Sequence, residues 1–395
     1  MYNKLLIPLF IVLLSILTSC GSNSHKDTQQ NIFSLDEKKF VHNLFLTEYL
    51  WYDEVSQNVD YTLIDTPQDL INTLRIPPTD KWSFTMTKKE YDNFVNQKTV
   101  GFGFSYSQDF TLFMVRIDAP AYKKLLRGDT ILELNGEAVT QERIAEASSK
   151  EGQEAVFTVL RDTQELTIGI TPTAYTFKVS LGKVISHNEK NIGYLRYDSF
   201  TESSVEEIEE IFTTFKDNNI SELVIDLRYN GGGSLTAAGI LLDNITNDYP
   251  NKRQVYLDWN VNNKNKNSTY TFESIDLQDG NELTMKRVFF LVTKNSASAS
   301  ELVISALKPY LGISNIITIG TQTYGKPVGM SGKVYGTNYY FLINFIVRNN
   351  NNETTSFEGI PVTCEAEDNL AFQRGDIEEP MLETALHYID NNVCP

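Results

Sequence analysis

Residues 287–310 read RVFFLVTKNSASASELVISALKPY. The apolar start of this stretch predicts a buried strand, and the spacing of apolar residues in its second half predicts a helix. Between them lie three serines within five positions, Ser296, Ser298 and Ser300. Hydroxyl groups in front of a helix often cap its free N–H groups. Two roles therefore remain open for these serines, helix capping and nucleophilic chemistry.

The alternation of strand and helix extends on both sides of this stretch. Upstream, ELVIDLRY (222–229) leads through NGGGS (230–234) into the helical pattern LTAAGILLDNI (235–245), and downstream NIITIG (315–320) supplies another strand. Such alternation predicts βαβ units with helices packed on a sheet. Ligands in these folds bind at the carboxyl ends of the strands, where the glycine loop and the serine loop both fall.

Both loops fit the hydrolysis of a peptide bond, which needs an activated nucleophile and donors for the developing oxyanion. A serine at the start of a helix lies beside the positive end of the helix dipole. Gly231, Gly232 and Gly233 let the backbone approach a substrate without a Cβ in the way. Both loops are predicted to lie at the carboxyl ends of the strands, and this common position favours a catalytic role for one serine.

The general base is harder to identify from the sequence. A Ser-His-Asp triad has no support, because none of the four histidines lies in a recognisable motif: His25, His42, His187 and His387. Lys326, in GTQTYGKPVGM (320–330), follows the next strand after the serine loop. A lysine between glycine and proline is usually solvated, but burial can lower its pKa enough to make the neutral amine available.

The N-terminus has the pattern of an export signal. A positive charge at Lys4 precedes an apolar run of 13 residues (5–17), which is shorter than a membrane span and typical of a secretory signal. The following LTSC (17–20) resembles a bacterial lipobox, which implies cleavage before Cys20 and acylation of its sulfur and new amino group. The alternative is an ordinary secretory signal with an incidental cysteine. Residues 21–31 predict a flexible polar tether.

Composition sets further limits on function. Hydrophobic residues make up 41% of the chain and charged residues 22%, which is enough for a substantial core. The net charge of −17 argues against nucleic acid as a partner. No HExxH, paired-cysteine or phosphate-loop motif is present, so no metal or organic cofactor is expected. If Cys20 is lipidated, Cys364 and Cys394 remain, and an oxidising compartment permits a disulfide between them.

The region before the alternating pattern divides into two parts. Residues 32–95 predict a helical segment, in which the aromatic side chains of Tyr49, Trp51 and Tyr52 are expected to pack against another domain. Residues 96–176 then change to short strands with period two.

Within this β-rich part, APAYKKLL (119–126) predicts a short helix, and RGDTILELNGEAV (127–139) a strand with a turn at Asn135-Gly136. Together with GFGFSYS (101–107), these motifs resemble a PDZ domain. The resemblance implies that the backbone of Gly101, Phe102, Gly103 and Phe104 holds the carboxylate of a peptide, whose strand pairs with the sheet edge.

Three motifs in order give a more specific resemblance: LVIDLRYNGGGS (223–234), SASASELVISAL (296–307) and TYGK (323–326). They resemble the C-terminal processing (tail-specific) serine protease family, as do the closing motifs FEGIPVT (357–363) and EEPMLETALHYI (378–389). The resemblance runs from the PDZ-like region to near the C-terminus and implies a crotonase/ClpP-like α/β protease domain.

The resemblance also implies roles for individual residues. Ser298 is the expected nucleophile and Lys326 the general base, while Ser296 and Ser300 cap the helix or line the site. The backbone amide of Ala299 and one from the glycine loop, at Gly231 or Gly232, are expected to form the oxyanion hole. Polypeptides with unstructured C-termini are the expected substrates.

Two features depart from the family pattern. Met330 stands where family members often carry a glutamine that orients the lysine, and its thioether is only a weak acceptor. Two alternatives follow: another group holds Lys326, with Gln322, Thr321 and Tyr324 as candidates, or the Ser-Lys pair is poorly assembled. The serine-to-lysine spacing of 28 residues (326 − 298) is also a few residues longer than expected, with the insertion placed in LGISN (311–315).

The sequence therefore predicts a multidomain α/β protein with a signal peptide (1–19), a tether (20–31), an N-terminal helical domain (32–95), a PDZ-like domain (96–176) and a serine protease domain (177–395). Its predicted function is a Ser-Lys endopeptidase acting on exported or unfolded proteins, lipid-anchored in a bacterial cell envelope. The alternative is a catalytically weak or inactive peptide-binding lipoprotein that keeps the protease fold. Substrate, cleavage preference, oligomeric state, membrane leaflet and the effect of the PDZ-like domain on activity stay open.

Overall fold

The computed structural model describes residues 33–272 and 280–395. The predicted signal peptide, the tether, His25 and the lipidated Cys20 lie outside these residues. Within the described ranges, no helix has both the length and the apolar composition needed to cross a membrane.

The described residues form eight α-helices: α1 (Leu35–Thr47), α2 (Pro67–Leu74), α3 (Lys88–Val95), α4 (Gln141–Ser149), α5 (Val205–Asp217), α6 (Leu235–Ile245), α7 (Ala299–Leu311) and α8 (Pro380–Asn391). They also form short 3-10 helices at Tyr52–Glu54, Tyr61–Leu63, Glu202–Ser204, Val261–Lys266 and Ile313–Asn315.

The strands in the same residues are β1 (Phe84–Thr87), β2 (Lys98–Gly101), β3 (Phe104–Tyr106), β4 (Leu112–Val115), β5 (Thr130–Leu134), β6 (Glu137–Ala138), β7 (Ala155–Arg161), β8 (Gln164–Ile170), β9 (Thr173–Thr176), β10 (Ser180–His187), β11 (Lys190–Tyr197), β12 (Glu222–Asp226), β13 (Arg253–Trp259), β14 (Ser268–Thr271), β15 (Val288–Val292), β16 (Ile316–Gly320), β17 (Val328–Tyr335), β18 (Asn338–Arg348) and β19 (Cys364–Glu365). The predicted mixed α/β architecture with several sheets is confirmed.

The central sheet has six strands in the order β10-β11-β12-β15-β16-β19, and all neighbours except β10 and β11 run parallel. Helices α5, α6 and α7 pack on one face, where Ile225 and Phe290 point. Helix α8 packs on the other face, against Val224 and Phe289. Because both faces are covered, β15 and β16 are buried at every residue, which explains why β15 is apolar throughout and β16 has Thr318 as its one polar side chain.

A second sheet has the order β1-β18-β13-β14, and β17 pairs with β18. The N-terminal segment is therefore not helical throughout, because β1 joins this sheet by pairing Phe84 with Phe341. Helices α1 and α2 pack on the same sheet. Tyr49 is fully buried there against Val328 and Ile343, as the prediction of aromatic packing between segments required.

The β-rich part between β2 and β9 contains a four-stranded sheet with the order β6-β5-β7-β8 and two strand pairs, β3-β4 and β2-β9. The predicted turn at Asn135-Gly136 is confirmed, since both residues adopt the positive φ angles that a tight hairpin needs. The predicted short helix over 119–126 is wrong. That stretch forms turns, and Lys123, with φ 62°, leaves the helical region of backbone space.

The C-terminal end of the chain is tied to the central sheet by a disulfide. Cys364, in the edge strand β19, is bonded to Cys394, and their Cα atoms are 5.6 Å apart. The bond closes a segment that includes α8, the helix that covers one face of the sheet.

Candidate active site

Ser298 lies where the chain turns from β15 into α7, at the carboxyl end of the parallel sheet. Its backbone has φ 57° and ψ −112°, a conformation that side-chain-bearing residues rarely adopt. Such strained residues persist where the surroundings hold them, and they cluster at functional sites. Here the Ser298 N–H donates to the Glu301 carboxylate at 2.9 Å.

The structure separates the three serines of the loop. The Ser296 hydroxyl donates to the Leu227 carbonyl at 2.7 Å, and the Ser300 hydroxyl donates to the Asn230 carbonyl at 2.8 Å. Both side chains are fully buried and fasten the serine loop to the glycine loop. Ser298 is partly exposed and lines a cavity. Of the three hydroxyls, the one at Ser298 is placed to meet a substrate.

The glycine loop packs directly against Ser298. A Cβ added to Gly232 would lie 2.8 Å from the Ser298 Cβ and 2.9 Å from the Ala299 nitrogen, so no larger residue fits. The Gly232 N–H donates to Asn230 Oδ1 at 2.9 Å, so this donor is already used within the loop. Gly233 lines the cavity together with Ser298 and Ala299, whereas Gly231 and Gly232 do not.

Lys326 reaches the same cavity from the loop after β16. Burial lowers the pKa of its amine to about 8, although the negative charges of Asp80 and Glu301 act in the opposite direction. The lining residues include no other ionisable side chain within the described ranges. At pH 7 about a tenth of this amine is therefore neutral and able to accept a proton, and at pH 8 about half of it is.

Glu301 connects the serine and the lysine, a role that the sequence did not reveal. Its carboxylate is 1% exposed and accepts four hydrogen bonds. The donors are the N–H groups of Ser298 (2.9 Å), Gly325 (2.8 Å) and Lys326 (2.9 Å) and the Thr323 hydroxyl (2.6 Å). The available signal was its place three residues after Ser298, which is typical of a capping box. One carboxylate thus fixes both loops.

None of the three candidates for holding the Lys326 side chain does so in the described structure. Gln322 donates its amide to the Glu358 carbonyl at 2.6 Å, and Thr321 is exposed. The Tyr324 ring packs at 6.5 Å from the ring of Trp82. These predictions are wrong because the loop turns these side chains away from the cavity, which Met330 lines instead.

The histidines of the described residues take no part in the cavity. His42 bonds to the Tyr61 hydroxyl and the Ser56 carbonyl, both at 2.7 Å. His187 pairs with Asp390 near the surface, and His387 lies on α8. Among the residues that the structure describes, no histidine therefore pairs with Ser298.

The four residues predicted to hold a peptide carboxylate lie away from this cavity. Gly101 ends β2, and Phe104 begins β3. Gly101 and Gly103 have φ angles of 135° and 85°, which glycine adopts without strain. The carbonyls of Phe102 and Gly103 accept hydrogen bonds from the backbone N–H groups of Ala121 and Arg116. The structure therefore gives two separate places, the Ser298 cavity and the glycine-containing strand edge.

The fold and the site together define a class: a multidomain α/β protein with a serine and a partly buried lysine at the carboxyl end of a parallel sheet. Comparison with sequence families identifies the family within this class. Residues 191–361 match the family described as peptidase family S41, and residues 36–84 match the peptidase S41 N-terminal domain. The chain belongs to peptidase family S41.

Individual relatives agree with this assignment. A carboxy-terminal-processing protease of Bartonella bacilliformis is 28% identical over 232 residues, which cover 54% of this chain and 50% of that protein. A tail-specific protease of Haemophilus influenzae is 26% identical over 200 residues, covering 50% of this chain and 25% of that protein. The chain thus spans half or less of the length of these two relatives.

A crystal structure of a candidate S41 protease from Bacteroides fragilis has the same fold. The two superpose with a TM-score of 0.77 at 21% sequence identity, covering 95% of this chain and 100% of that one.

Proposed function

We propose that this protein is a serine peptidase in which Ser298 is the nucleophile and Lys326 the general base. The observation that carries the proposal is that both side chains line one cavity, in which burial lowers the pKa of the lysine to about 8. The neutral amine takes the Ser298 proton as Oγ attacks the scissile carbonyl, and the ammonium then protonates the leaving amine. Water releases the resulting acyl-enzyme by the same proton transfers in reverse order.

The oxyanion of the tetrahedral intermediate is held, in this proposal, by the N–H groups of Ala299 and Gly233. Both residues line the cavity, and Ala299 is the first residue of α7, where the helix dipole is positive. Gly232 is a poorer donor, because its N–H is already bonded to Asn230. This replaces the assignment to Gly231 or Gly232 that the family resemblance implied.

The wall of the cavity supports a peptide substrate. Apolar side chains from the second sheet and from helices α6 and α7 surround the space beside Ser298: Leu235, Val255, Leu302, Ala306, Val328 and Phe345. An apolar side chain next to the scissile bond would bury its surface there. Peptides with such a residue are therefore suitable substrates for the tests below.

The pH dependence of kcat/KM tests the role of the lysine. Because only the neutral amine accepts the serine proton, kcat/KM should rise with pH, with a midpoint near 8 set by the pKa of Lys326, and reach a plateau above it. Below the midpoint, each pH unit should lower kcat/KM about tenfold, as for loss of one proton. Hydrolysis of a fluorogenic peptide from pH 5.5 to 10 measures this profile.

Two outcomes would contradict the proposed base. A midpoint of about 6.5 would point to a histidine, and one above about 10 would point to a lysine exposed to water. The position of the midpoint therefore distinguishes the proposed base from the other titratable groups.

We also propose that the backbone of Gly101–Phe104 binds the C-terminus of a polypeptide substrate, as in a PDZ domain. The free edge of β3 and the glycine angles support this, since a strand edge can pair with an extended peptide. Binding of a peptide that is lost when its C-terminus is amidated would support the proposal. Equal binding of both forms would count against it.

The location of the protein is a further proposal. The signal-like N-terminus and Cys20 favour export and anchoring of the protein by lipid in a bacterial cell envelope, and the Cys364–Cys394 disulfide suits an oxidising compartment. Mass spectrometry of the N-terminal peptide would show acyl chains on Cys20 if this is right and an unmodified cysteine if it is not.

A second candidate function is peptide binding without efficient hydrolysis. Met330 motivates it, because the residue expected to orient the lysine is missing from that position. A wild-type protein that binds C-terminal peptides but cleaves none would favour this alternative.

A further inference from the structure

Strand β17 has a free edge that begins in the catalytic cavity. The strand pairs with β18 on one side and with no strand of the described residues on the other. Its first three residues (328–330) line the cavity together with Ser298 and Lys326. From there the strand runs outward to Val334, which is 46% exposed. One sheet edge therefore leads from the cavity to the surface of the protein.

The hydrogen bonds of β17 show which of its backbone groups face this free edge. The Val347 N–H donates to the Pro327 carbonyl at 3.2 Å. The Ser331 N–H donates to Asn344 Oδ1 at 2.6 Å. Residues 327 and 331 thus face β18, and along a strand the backbone groups of successive residues point alternately to the two sides. Four residues of β17 therefore turn their N–H and C=O groups to the free edge: Val328, Met330, Gly332 and Val334.

These outward groups are unpaired. No hydrogen bond within the described ranges reaches the N–H or C=O groups of the four residues. Proteins usually block such an edge with charged side chains, prolines or bulges, because it pairs with other strands. The one charged side chain of β17, Lys333, is instead paired with Glu48 at 3.4 Å. The strand contains no proline, and the extra residue of its irregular pairing, Asn344, belongs to β18.

Two glycines of β17 bring aromatic rings of β18 close to the free edge. A Cβ added to Gly329 would overlap the Phe345 ring. One added to Gly332 would lie 2.8 Å from the ring of Phe341, which is partly exposed. Glycine inside a strand often marks a place where another backbone approaches closely. Side chains of a strand added beside β17 would meet these rings and bury apolar surface.

We propose that the free edge of β17 is the docking site for the main chain of the substrate, which binds in an extended conformation as an added strand. The occupant is an unfolded polypeptide, because the edge starts in the cavity of Ser298, where the proposed reaction takes place. This inference therefore rests on the proposed peptidase function. Recognition through main-chain groups requires no particular sequence. It excludes folded segments, whose backbone groups are already paired.

Binding of a series of N-methylated peptides tests the pairing. The protein carries Ser298→Ala, so that bound peptides stay intact. Each peptide of about ten residues has an apolar sequence, an amidated C-terminus and one N-methyl group. In an added strand, every second residue directs its N–H to β17. N-methylation should therefore weaken binding about tenfold at alternate positions and have little effect at those between them, as measured by fluorescence anisotropy.

The variant Gly332→Pro tests the same bonds from the side of β17. Proline removes the outward N–H at this position and leaves the bonds to β18, which belong to its neighbours. The unmethylated peptide should then bind about tenfold more weakly. Thr167→Pro is the matched control, because the exposed Thr167 lies in β8, an edge strand of another sheet. This control should bind the peptide as tightly as the protein without it.

Equal losses at every position of the peptide, or no loss at any, would overturn the added strand, and so would unchanged binding to Gly332→Pro. If Gly332→Pro does not fold, the peptide series decides the question by itself. A dimer that pairs two copies of β17 and excludes the peptide, detected by analytical ultracentrifugation, would also contradict the proposal. Because binding needs no turnover, alternating losses in a protein that cleaves no peptide would refute the proposed function and still support the docking site.

Discussion

Replacement of Ser298 or of Lys326 by alanine should reduce kcat/KM for peptide hydrolysis by about 10³-fold to 10⁶-fold, the range seen when one member of a serine catalytic unit is removed. Without Ser298 there is no nucleophile in the cavity. Without Lys326 the Ser298 hydroxyl has no neutral amine to take its proton, because no other ionisable side chain of the described residues lines that space. Hydrolysis of the fluorogenic peptide on the pH plateau measures both variants.

The double variant separates a catalytic unit from two independent effects. When two residues act as one catalytic unit, removing the second costs little further activity once the first is gone. The double variant Ser298→Ala with Lys326→Ala should therefore be about as inactive as either single variant. Ser314→Ala and Lys264→Ala, at exposed positions outside the cavity, are the matched controls and should keep wild-type rates. Retention of more than about a tenth of the wild-type rate in either single variant, with an unchanged melting temperature, would rule out the pair.

The second large effect concerns the stability of the fold beneath the site. Arg228 lies two residues after the end of β12, and its side chain is 0% exposed. It contacts three carboxylates: Asp226 at 3.0 Å, Asp368 at 2.7 Å, and Glu379 through two bonds of 2.8 and 2.9 Å. Burial alone would raise the pKa of Asp226, but the guanidinium groups of Arg228 and Arg374 hold it well below its usual range. The cluster joins the central sheet to the C-terminal segment.

Arg228→Met should therefore lower the free energy of unfolding by about 3–5 kcal/mol, the usual result of removing one partner from a buried ion cluster. The loss arises because carboxylates stay buried without their main counter-charge. Lys286→Met is the matched control, because Lys286 pairs with Asp248 at the surface with 71% of its side chain exposed, and it should not change stability measurably. Urea denaturation of both variants tests this, and a loss below about 1 kcal/mol for Arg228→Met would contradict the role given to the cluster.

The central sheet was predictable from the sequence for a simple physical reason. Strands β12 and β15 are covered on both faces, so β15 is apolar throughout and β12 has an apolar centre (223–225), and a serine or glycine loop follows each strand within a few residues. Parallel strands bring such loops to one edge of the sheet. The approach of Lys326 to Ser298 followed from the same rule, since β16 is the next strand along.

The supports of the site were not predictable in the same way, because they depend on contacts between distant segments. Glu301 could be recognised as a capping residue, but its bonds to Gly325 and Lys326 depend on how the lysine loop folds back. The hydrogen bond from the Gly232 N–H to the Asn230 side chain is likewise a contact that the sequence did not show. Local sequence carries none of these tertiary contacts.

The most direct test of the central claim is covalent trapping of the nucleophile with a fluorophosphonate, followed by mass spectrometry to locate the modified residue. Such reagents react with serines that a nearby base activates. The account predicts a single modification, at Ser298, that forms faster as the pH rises through about 8 and that Lys326→Ala slows by orders of magnitude. Modification at Ser296 or Ser300 instead, or labelling of Ser298 at the same rate without Lys326, would contradict it.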